Sequence, residues 1–422
     1  MPAFIVPIAA LLLGSAFLML GSGLHGLILP IRGHIEGFSA TELGLVGAGW
    51  AVGFIGGCLA IPEAVRRVGH VRAYGATAAL AAIAILLNIM IIDPIAWIVL
   101  RVLSGFAGAG AAMIVESWLN ERVTSERRGR IFAIYMMTNL TASTTGQLLV
   151  ATADPSAATL FTLGAIFYCL ALLPTALSTA TAPRPLQQVR PDLRGLFTAS
   201  PVAAVSAFLI GLDQGAFGSL GAVYAQGIGL PVPSVAFFMS AAVLGGALAQ
   251  LPIGRLSDRF DRRHVLAGLA LAGAALAVVL AVLPIAEPWL AITLAGVFGA
   301  MLYPMYPLAV AHANDQSGGE GFLRVAGGLL LLFGFGLMVG PLVAAFAMDY
   351  FGGGGLFVFL ASVNVVIAVY AVVRSRMRAA RPSTRQPTVQ NLPLSKTTPE
   401  LLALDPRSEE PPEAPRPVDA AA

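Results

Sequence analysis

The sequence predicts an all-α membrane protein, with twelve transmembrane helices arranged as two pseudo-symmetric six-helix bundles. Three observations lead there. Of 422 residues, 57% are apolar and 11% are charged, less than half the charge of an ordinary soluble domain. Twelve mostly apolar runs follow one another along the chain, each close to the ~20 residues that cross a bilayer as a helix. The chain also resembles itself after a shift of 192 residues. So little charge excludes disorder over most of the chain and a water-facing surface. It argues against nucleic acid as a partner and makes the lipid bilayer the expected one.

The first six runs lie near 4–30, 40–62, 73–92, 94–119, 131–152 and 157–177; the second six lie near 200–226, 232–254, 265–285, 288–312, 324–347 and 354–373. The first has no basic segment before it and no small-residue cleavage site after it, so it reads as a retained span rather than a signal peptide. Asp93-Pro94 splits the third run from the fourth as a tight turn. The links after spans two, four, six and eight hold Arg66, Arg67 and Arg72; Arg122, Arg127, Arg128 and Arg130; Arg184, Arg190 and Arg194; and Arg255, Arg259, Arg262 and Arg263. The opposite links hold Arg32 and are otherwise acidic or neutral. The positive-inside rule then puts both termini in the cytoplasm of a multi-pass cell-membrane protein. The expected domains are an N-terminal bundle (1–177), a cytoplasmic linker (178–199), a C-terminal bundle (200–375) and a proline-rich cytoplasmic tail (376–422) whose composition predicts disorder.

Sliding the chain by 192 residues lays Gly23 on Gly215, Gly37 on Gly229, Gly53 on Gly245 and Arg67 on Arg259. After a two-residue slip Asp93-Pro94 meets Glu287-Pro288, and Gly105 meets Gly299. Parallel repeats of this kind are an architecture of transporters, with the solute site between the halves near mid-membrane.

The link after span eight reads GRLSDRFDRR, from Gly254 to Arg263. It resembles the signature G-x-L-A-D-R-x-G-R-[RK] of the major facilitator superfamily. Gly254, Leu256, Asp258, Arg259, Arg262 and Arg263 match, while Ser257 and Asp261 depart from it. The symmetric link keeps Arg67, Gly69 and Arg72 but has Arg66 where the family has an acid. Span four reads RVLSGFAGAG from Arg101, similar to the family pattern R-x-x-x-G-x-x-x-[AG], and a G-x-x-x-G-P stretch falls in span eleven, Gly336 to Pro341, not in span five where family antiporters often carry it. The resemblance implies a cytoplasmic gate built from Arg67, Gly69, Gly254, Asp258, Arg259, Arg262 and Arg263, with Asp258 binding the start of a helix in the other half. The plainer reading is a topology anchor whose arginines face anionic lipid.

Ionisable groups inside a membrane are costly and usually face an interior cavity. Here they are His25 in span one, Arg101 and Glu116 in span four, and Asp213, beside Gln214, in span seven. Glu116, near the cytoplasmic end, reads as an interfacial acid close to Arg122 and Arg127. The resemblance implies that spans one, four, seven and ten line the central cavity, and span ten adds Tyr303 and Tyr306, three apart on one face. Span five carries a polar stripe, Thr138, Asn139, Thr141, Thr144, Thr145 and Gln147, suited either to a polar solute or to interhelical hydrogen bonds. Asp213 lies roughly 20 Å along its helix, a lone carboxylate among apolar neighbours. It is expected either to approach His25 across the interface of spans one and seven, coupling proton exchange to transport, or to be satisfied locally.

The expectation is therefore a monomeric secondary transporter of a small-molecule solute, with protons as the coupling partner and no cofactor or metal. No phosphate-binding G-x-x-x-x-G-K-[ST] occurs, and the single lysine, Lys396, lies in the tail. No nucleophile–base or metal-ligand cluster points to an enzyme. The alternatives are an uncoupled facilitator, or a receptor or enzyme that keeps the fold.

Overall fold

The computed structural model describes residues 5–122, 125–176, 193–283, 285, 287–317, 322–377 and 398. Every regular element among them is helical, as expected where lipid offers the backbone no hydrogen-bond partners. Six helices form the first half: α1 (Ile5–Ile35), α2 (Ala40–Val68), α3 (His70–Met90), α4 (Pro94–Arg122), α5 (Ser125–Leu148) and α6 (Thr159–Ala176). A short 3₁₀ turn, Leu149–Thr152, extends α5. A seven-residue helix, α7 (Leu193–Ala199), precedes the second half. That half comprises α8 (Pro201–Gly227), α9 (Val232–Arg259), α10 (Arg262–Val282), α11 (Pro288–Leu302), α12 (Met305–Ser317), α13 (Phe322–Phe351) and α14 (Gly355–Met377).

α11 and α12 together make one span, so the two halves carry twelve spans. Ten of these are long and apolar enough to cross a bilayer by composition alone. α6 is apolar but shorter, and α5 is too polar to qualify alone. Helices α2 and α9 run past their apolar stretches into the arginine-bearing links, ending at Val68 and Arg259. Helical ends can lie among headgroups, where apolar content is not required. Span ten, expected to be continuous, breaks at Tyr303–Pro304. Pro304 and Pro307 each remove a backbone donor on adjoining turns. Residues 178–192 of the expected linker and most of the tail lie outside the described residues. The end of the linker is helical, and α7 packs on α8, α12 and α13.

The sequence repeat reappears as equivalent geometry. Gly37 and Gly229 both hold a left-handed backbone, φ 79° and 86°. After each, Phe38 and Leu230 reach back five residues to the carbonyls of Gly33 and Ala225 at 2.9 and 3.1 Å. This glycine-closed helix end needs a residue without a Cβ penalty at positive φ. Deeper in, α2 crosses α4 where Gly53 faces the Val102 carbonyl and Gly105 faces the Trp50 carbonyl. α9 crosses α11 where Gly245 faces the Gly296 carbonyl and Gly299 faces the Ala242 carbonyl. A Cβ placed on any of the four would sit between 1.9 and 2.1 Å from that oxygen, so the backbones approach as closely as small residues permit.

The named close contacts between halves gather toward the arginine-poor end. Thr41 donates to the Asp349 carboxylate. Gly44 packs on Pro341 and Ala345, and Gly47 packs on Ser219. Gln226 donates to the Ile31 carbonyl at 3.4 Å, and Ser240 to Gln147 at 3.4 Å.

Gly53→Ala and Gly299→Ala are expected to lower stability by about 1–3 kcal/mol each through overpacking. Gly56→Ala, on the same helix as Gly53 with nothing within 4 Å of its added methyl, should be neutral. Thermal unfolding of the detergent-purified variants checks this. Equal behaviour of Gly53→Ala and Gly56→Ala would contradict the crossing argument.

Candidate functional site

A cavity of about 180 Å³ lies between the halves. From the first half it is lined by Ser22 on α1, Trp50 on α2, Arg101 on α4, and Ser143 and Gln147 on α5. From the second it is lined by Gln214 and Ser219 on α8, Gln250 on α9, and Tyr303 at the α11–α12 break. Glycines 23, 26, 47, 215, 218 and 246 supply much of the remaining wall, which gives the space its room. Arg101 is the one charged residue in this lining, and its Nε has no hydrogen-bond partner among the described residues. Gln214 donates to the Leu302 carbonyl at 3.5 Å, while its Oε1 is buried and unpartnered. The site thus offers a cation, amides, hydroxyls and two aromatic surfaces. Such a mixture binds a small polar solute.

Arg101, Gln214, Tyr303 and, from the span-five stripe, Gln147 line the cavity. His25, Asn139, Asp213 and Tyr306 do not. Asn139 turns toward α1, where its Oδ1 accepts from Ser15 at 2.6 Å. Tyr306 leaves the face of Tyr303 because the helix breaks between them, and it packs on Phe333 with ring centroids 4.3 Å apart. His25 donates through Nε2 to the Asn88 side chain at 3.1 Å, and its Nδ1 faces the Tyr168 hydroxyl at 3.5 Å. Asp213, fully buried, accepts from Asn364 at 2.6 Å. The expected His25–Asp213 approach is thus corrected: each engages helices of its own half. His25 ties α1 to α3 and α6, and Asp213 ties α8 to α14. Local satisfaction costs less than leaving either group unpaired in an apolar bundle.

A second, small chamber of about 20 Å³ lies behind Arg101. It is lined by His25, Ser104 and Tyr168, so His25 borders this side chamber instead.

Arg67 and Arg66 both pair with Glu63, Arg67 at 2.7 Å. The acid missing from the signature position is thus supplied one turn earlier on the same helix. Gly69, with φ 83° and ψ 164°, turns the chain between α2 and α3 in a conformation open essentially to glycine. Asp258 pairs with Arg262 at 3.2 Å, and Arg262 pairs with Asp315 on α12 at 2.6 Å. Arg263 donates to the Arg374 carbonyl of α14 at 3.3 Å. Arg262 and Arg263 thus brace α10 against α9, α12 and α14 within one half. Arg259 is exposed, and Gly254 accepts a hydrogen bond from Ser257 at 2.8 Å. The departure at Asp261 also acquires a reason: its carboxylate caps α10 by accepting from the Arg263 backbone at 2.9 Å. Desolvation opposes the Asp261 charge, but the hydrogen bonds and charge of Arg263, with His264 nearby, outweigh it and hold the carboxyl below its ordinary range.

Glu116, expected to pair with link arginines, accepts from Tyr135 at 2.9 Å and from Thr398. The side chains of Arg122 and Arg127 lie outside the described residues.

The sequence profile of the Major Facilitator Superfamily matches residues 11–202 and again 203–409. The chain belongs to the Major Facilitator Superfamily. Similar relatives include the MFS-type transporter YcaD of Shigella flexneri serotype 5b (strain 8401) and of Escherichia coli O139:H28. Each is 25% identical over 379 residues, covering 87% of this chain and 95% of the relative. Among solved structures, the nucleoside transporter NupG superposes with a TM-score of 0.72 at 14% identity over 88% of this chain and 99% of its own. A bacterial homologue of the human lysosomal transporter Spinster, inward-facing and unoccupied, gives 0.68 at 15% identity over 89% and 96%. These two likenesses concern the fold. As a member of this superfamily the chain is a multi-pass membrane transporter.

Sequence reasoning missed Trp50, Ser22, Ser143, Ser219 and Gln250 as lining residues, and Asn88, Asn364 and Tyr168 as partners. The signal was present for the asparagines: a lone amide in an apolar span needs a partner, which made each a candidate for His25 or Asp213.

Asn364→Leu is expected to strand the Asp213 carboxylate and cost about 1–3 kcal/mol or more. The double variant Asp213→Leu/Asn364→Leu, which removes both polar partners at similar volume, should regain most of that. A double-mutant cycle of unfolding temperatures measures it, and strict additivity would refute the pairing.

Proposed function

We propose that this superfamily member is a secondary transporter of a small polar solute that works by alternating access, with the arginine-rich end in the cytoplasm. The observation that carries this reading is a cavity lined from both repeats, set beside inter-half contacts gathered at the opposite end. Thr41–Asp349, Gly44–Pro341 and Gln226–Ile31 close the outer side, which supports a form whose cavity is reached from the cytoplasm. Transport then requires these contacts to open while the cytoplasmic ends close. In the closed form Asp258 engages the start of a helix in the other half, with Gly69 and Gly254 in the two signature links. The shared geometry of the two repeats supports a rocking motion, since each half is braced internally by glycine crossings and buried polar pairs.

Proton coupling is proposed to run through Asp213. It is fully buried, its Oδ1 has no hydrogen-bond partner among the described residues, and no cation pairs with it there. It adjoins Gln214, whose side chain reaches the cavity. Protonation at Asp213 changes what α8 can hold against α14 and so reaches the binding face through one residue of backbone.

Two measurements test these steps in proteoliposomes, using a solute identified by thermal-shift screening. In a background with Cys58 and Cys169 replaced by serine, Thr41→Cys/Asp349→Cys is joined by a short bifunctional thiol reagent. Cross-linking should abolish solute counterflow, and counterflow persisting at full cross-linking would sink alternating access. Asp213→Asn should retain counterflow but lose accumulation driven by a pH gradient. Accumulation with unchanged pH dependence would remove Asp213 from the coupling path.

A further inference from the structure

The geometry points to a small organic monocarboxylate as the solute class, its carboxylate held by Arg101 and its body lying toward the second half. This rests on the transporter reading above and goes beyond it by fixing the charge of the cargo.

Charge comes first. Among the described lining residues Arg101 is the sole ionisable group that carries charge at neutral pH, and no carboxylate pairs with it. Asp213, next to the lining residue Gln214, points to Asn364, and Glu116, on α4 itself, accepts from Tyr135. A guanidinium left without a counter-ion in an apolar bundle is expensive unless something anionic arrives. Its Nε is an orphaned donor, and a planar fork of donors matches a carboxylate through two parallel hydrogen bonds. One cation balances one negative charge, so a monoanion fits better than a dianion.

A cationic solute, or the ammonium of a zwitterion, would meet Arg101 at close range with no lining acid to offset it. The cavity volume of about 180 Å³ limits the cargo to a few heavy atoms beyond the carboxylate, below the ~300 Å³ at which drug-sized sites begin.

Orientation follows from the remaining groups. Gln214 presents an unpartnered Oε1, an acceptor that wants a hydroxyl or N–H from the solute. It belongs to α8, across the interface from Arg101 on α4. A carboxylate at one end and a donor at the other would therefore span the two halves, so that binding itself draws on both. Trp50 and the two methionines Met19 and Met239 provide apolar surface for the carbon skeleton between.

The test uses the full-length protein in detergent and in liposomes. Thermal shift is read with propionate, lactate and benzoate, against their uncharged amides and against small primary amines. Carboxylates should raise the unfolding temperature where matched amides and amines do not, with lactate exceeding propionate through its added hydroxyl. Arg101→Gln should weaken carboxylate binding roughly 10- to 100-fold. Arg101→Lys, which keeps the charge and guards against a folding failure, should weaken it less and remain carboxylate-selective. No stabilisation by any carboxylate, equal stabilisation by the amides, or unchanged binding in Arg101→Gln would overturn the assignment. Counterflow separates this failure from that of the broader reading. Counterflow of a neutral or cationic solute would keep the transporter and overturn the carboxylate class. Carboxylate-selective binding without counterflow in liposomes would keep the class and overturn transport.

Discussion

Lipid supplies no hydrogen bonds, and that constraint organises this molecule. It obliges the backbone to be helical throughout the spans and obliges each buried polar side chain to find a partner within the protein. The partners found are nearly all inside one half: His25 with Asn88 and Tyr168, Asn139 with Ser15, Asp213 with Asn364, Arg262 with Asp315. These are struts. The first three fix α1 and α8, the first helix of each repeat, to neighbouring helices of the same half, and the fourth ties α10 to α12. Some orphaned groups, such as the Tyr306 hydroxyl, lie away from the cavity. Arg101 and Gln214 are the residues with such a group that also line it, and the proposed solute would supply there what the protein withholds.

The glycines complete the same argument from the apolar side. Without a hydrophobic effect between helices in lipid, association rests on close packing and interhelical polar contacts. Gly53 with Gly105, and Gly245 with Gly299, bring backbones together in corresponding places of the two halves. A bundle fastened at such crossings resists bending within itself. The proposed motion then falls at the boundary between halves, where the named contacts are a hydroxyl on a carboxylate, a proline carbonyl beside a glycine and an amide on a carbonyl.

How far this was legible in the sequence depends on the residue. Span number and repeat were readable because they rest on composition over some twenty residues at a time, a signal that single exceptions cannot erase. Even single glycine matches, cheap in a glycine-rich chain, proved to mark equivalent crossings. Arg101 was readable because charge in an apolar span is rare. What could not be read was direction. Asp213 and Gln214 are neighbours, yet one faces α14 and the other the cavity, since successive residues on a helix point about 100° apart. The pairing of His25 with Asp213 fails for that reason: residue number gives depth along a helix, but not which neighbour a side chain faces. Tyr306 was lost from the cavity face of Tyr303 through the break at Pro304, which ends the helical face that their spacing implies. Trp50 and the lining serines carry no charge and sit among many similar residues, so nothing in one sequence distinguished them.

Symmetry and its breaking divide the labour in this fold. In the register that lays Gly105 on Gly299, Arg101 falls on Ala295, which is fully buried. In the register that lays Gly53 on Gly245, Asp213 falls on Gly21. The crossings that make each half a unit are thus kept in both repeats, while each ionisable group exists in one only. A two-fold scaffold that rocks between two inverted states, as proposed, needs like braces on both sides. The proposed cargo with a charged end needs the opposite, a site whose two walls differ. Placing the cation on α4 of the first half, and amides on α8 and α9 of the second, gives the cavity a polarity that the scaffold lacks. It also places the group proposed to hold a proton on the wall away from the cation, where Arg101 does not fix its charge.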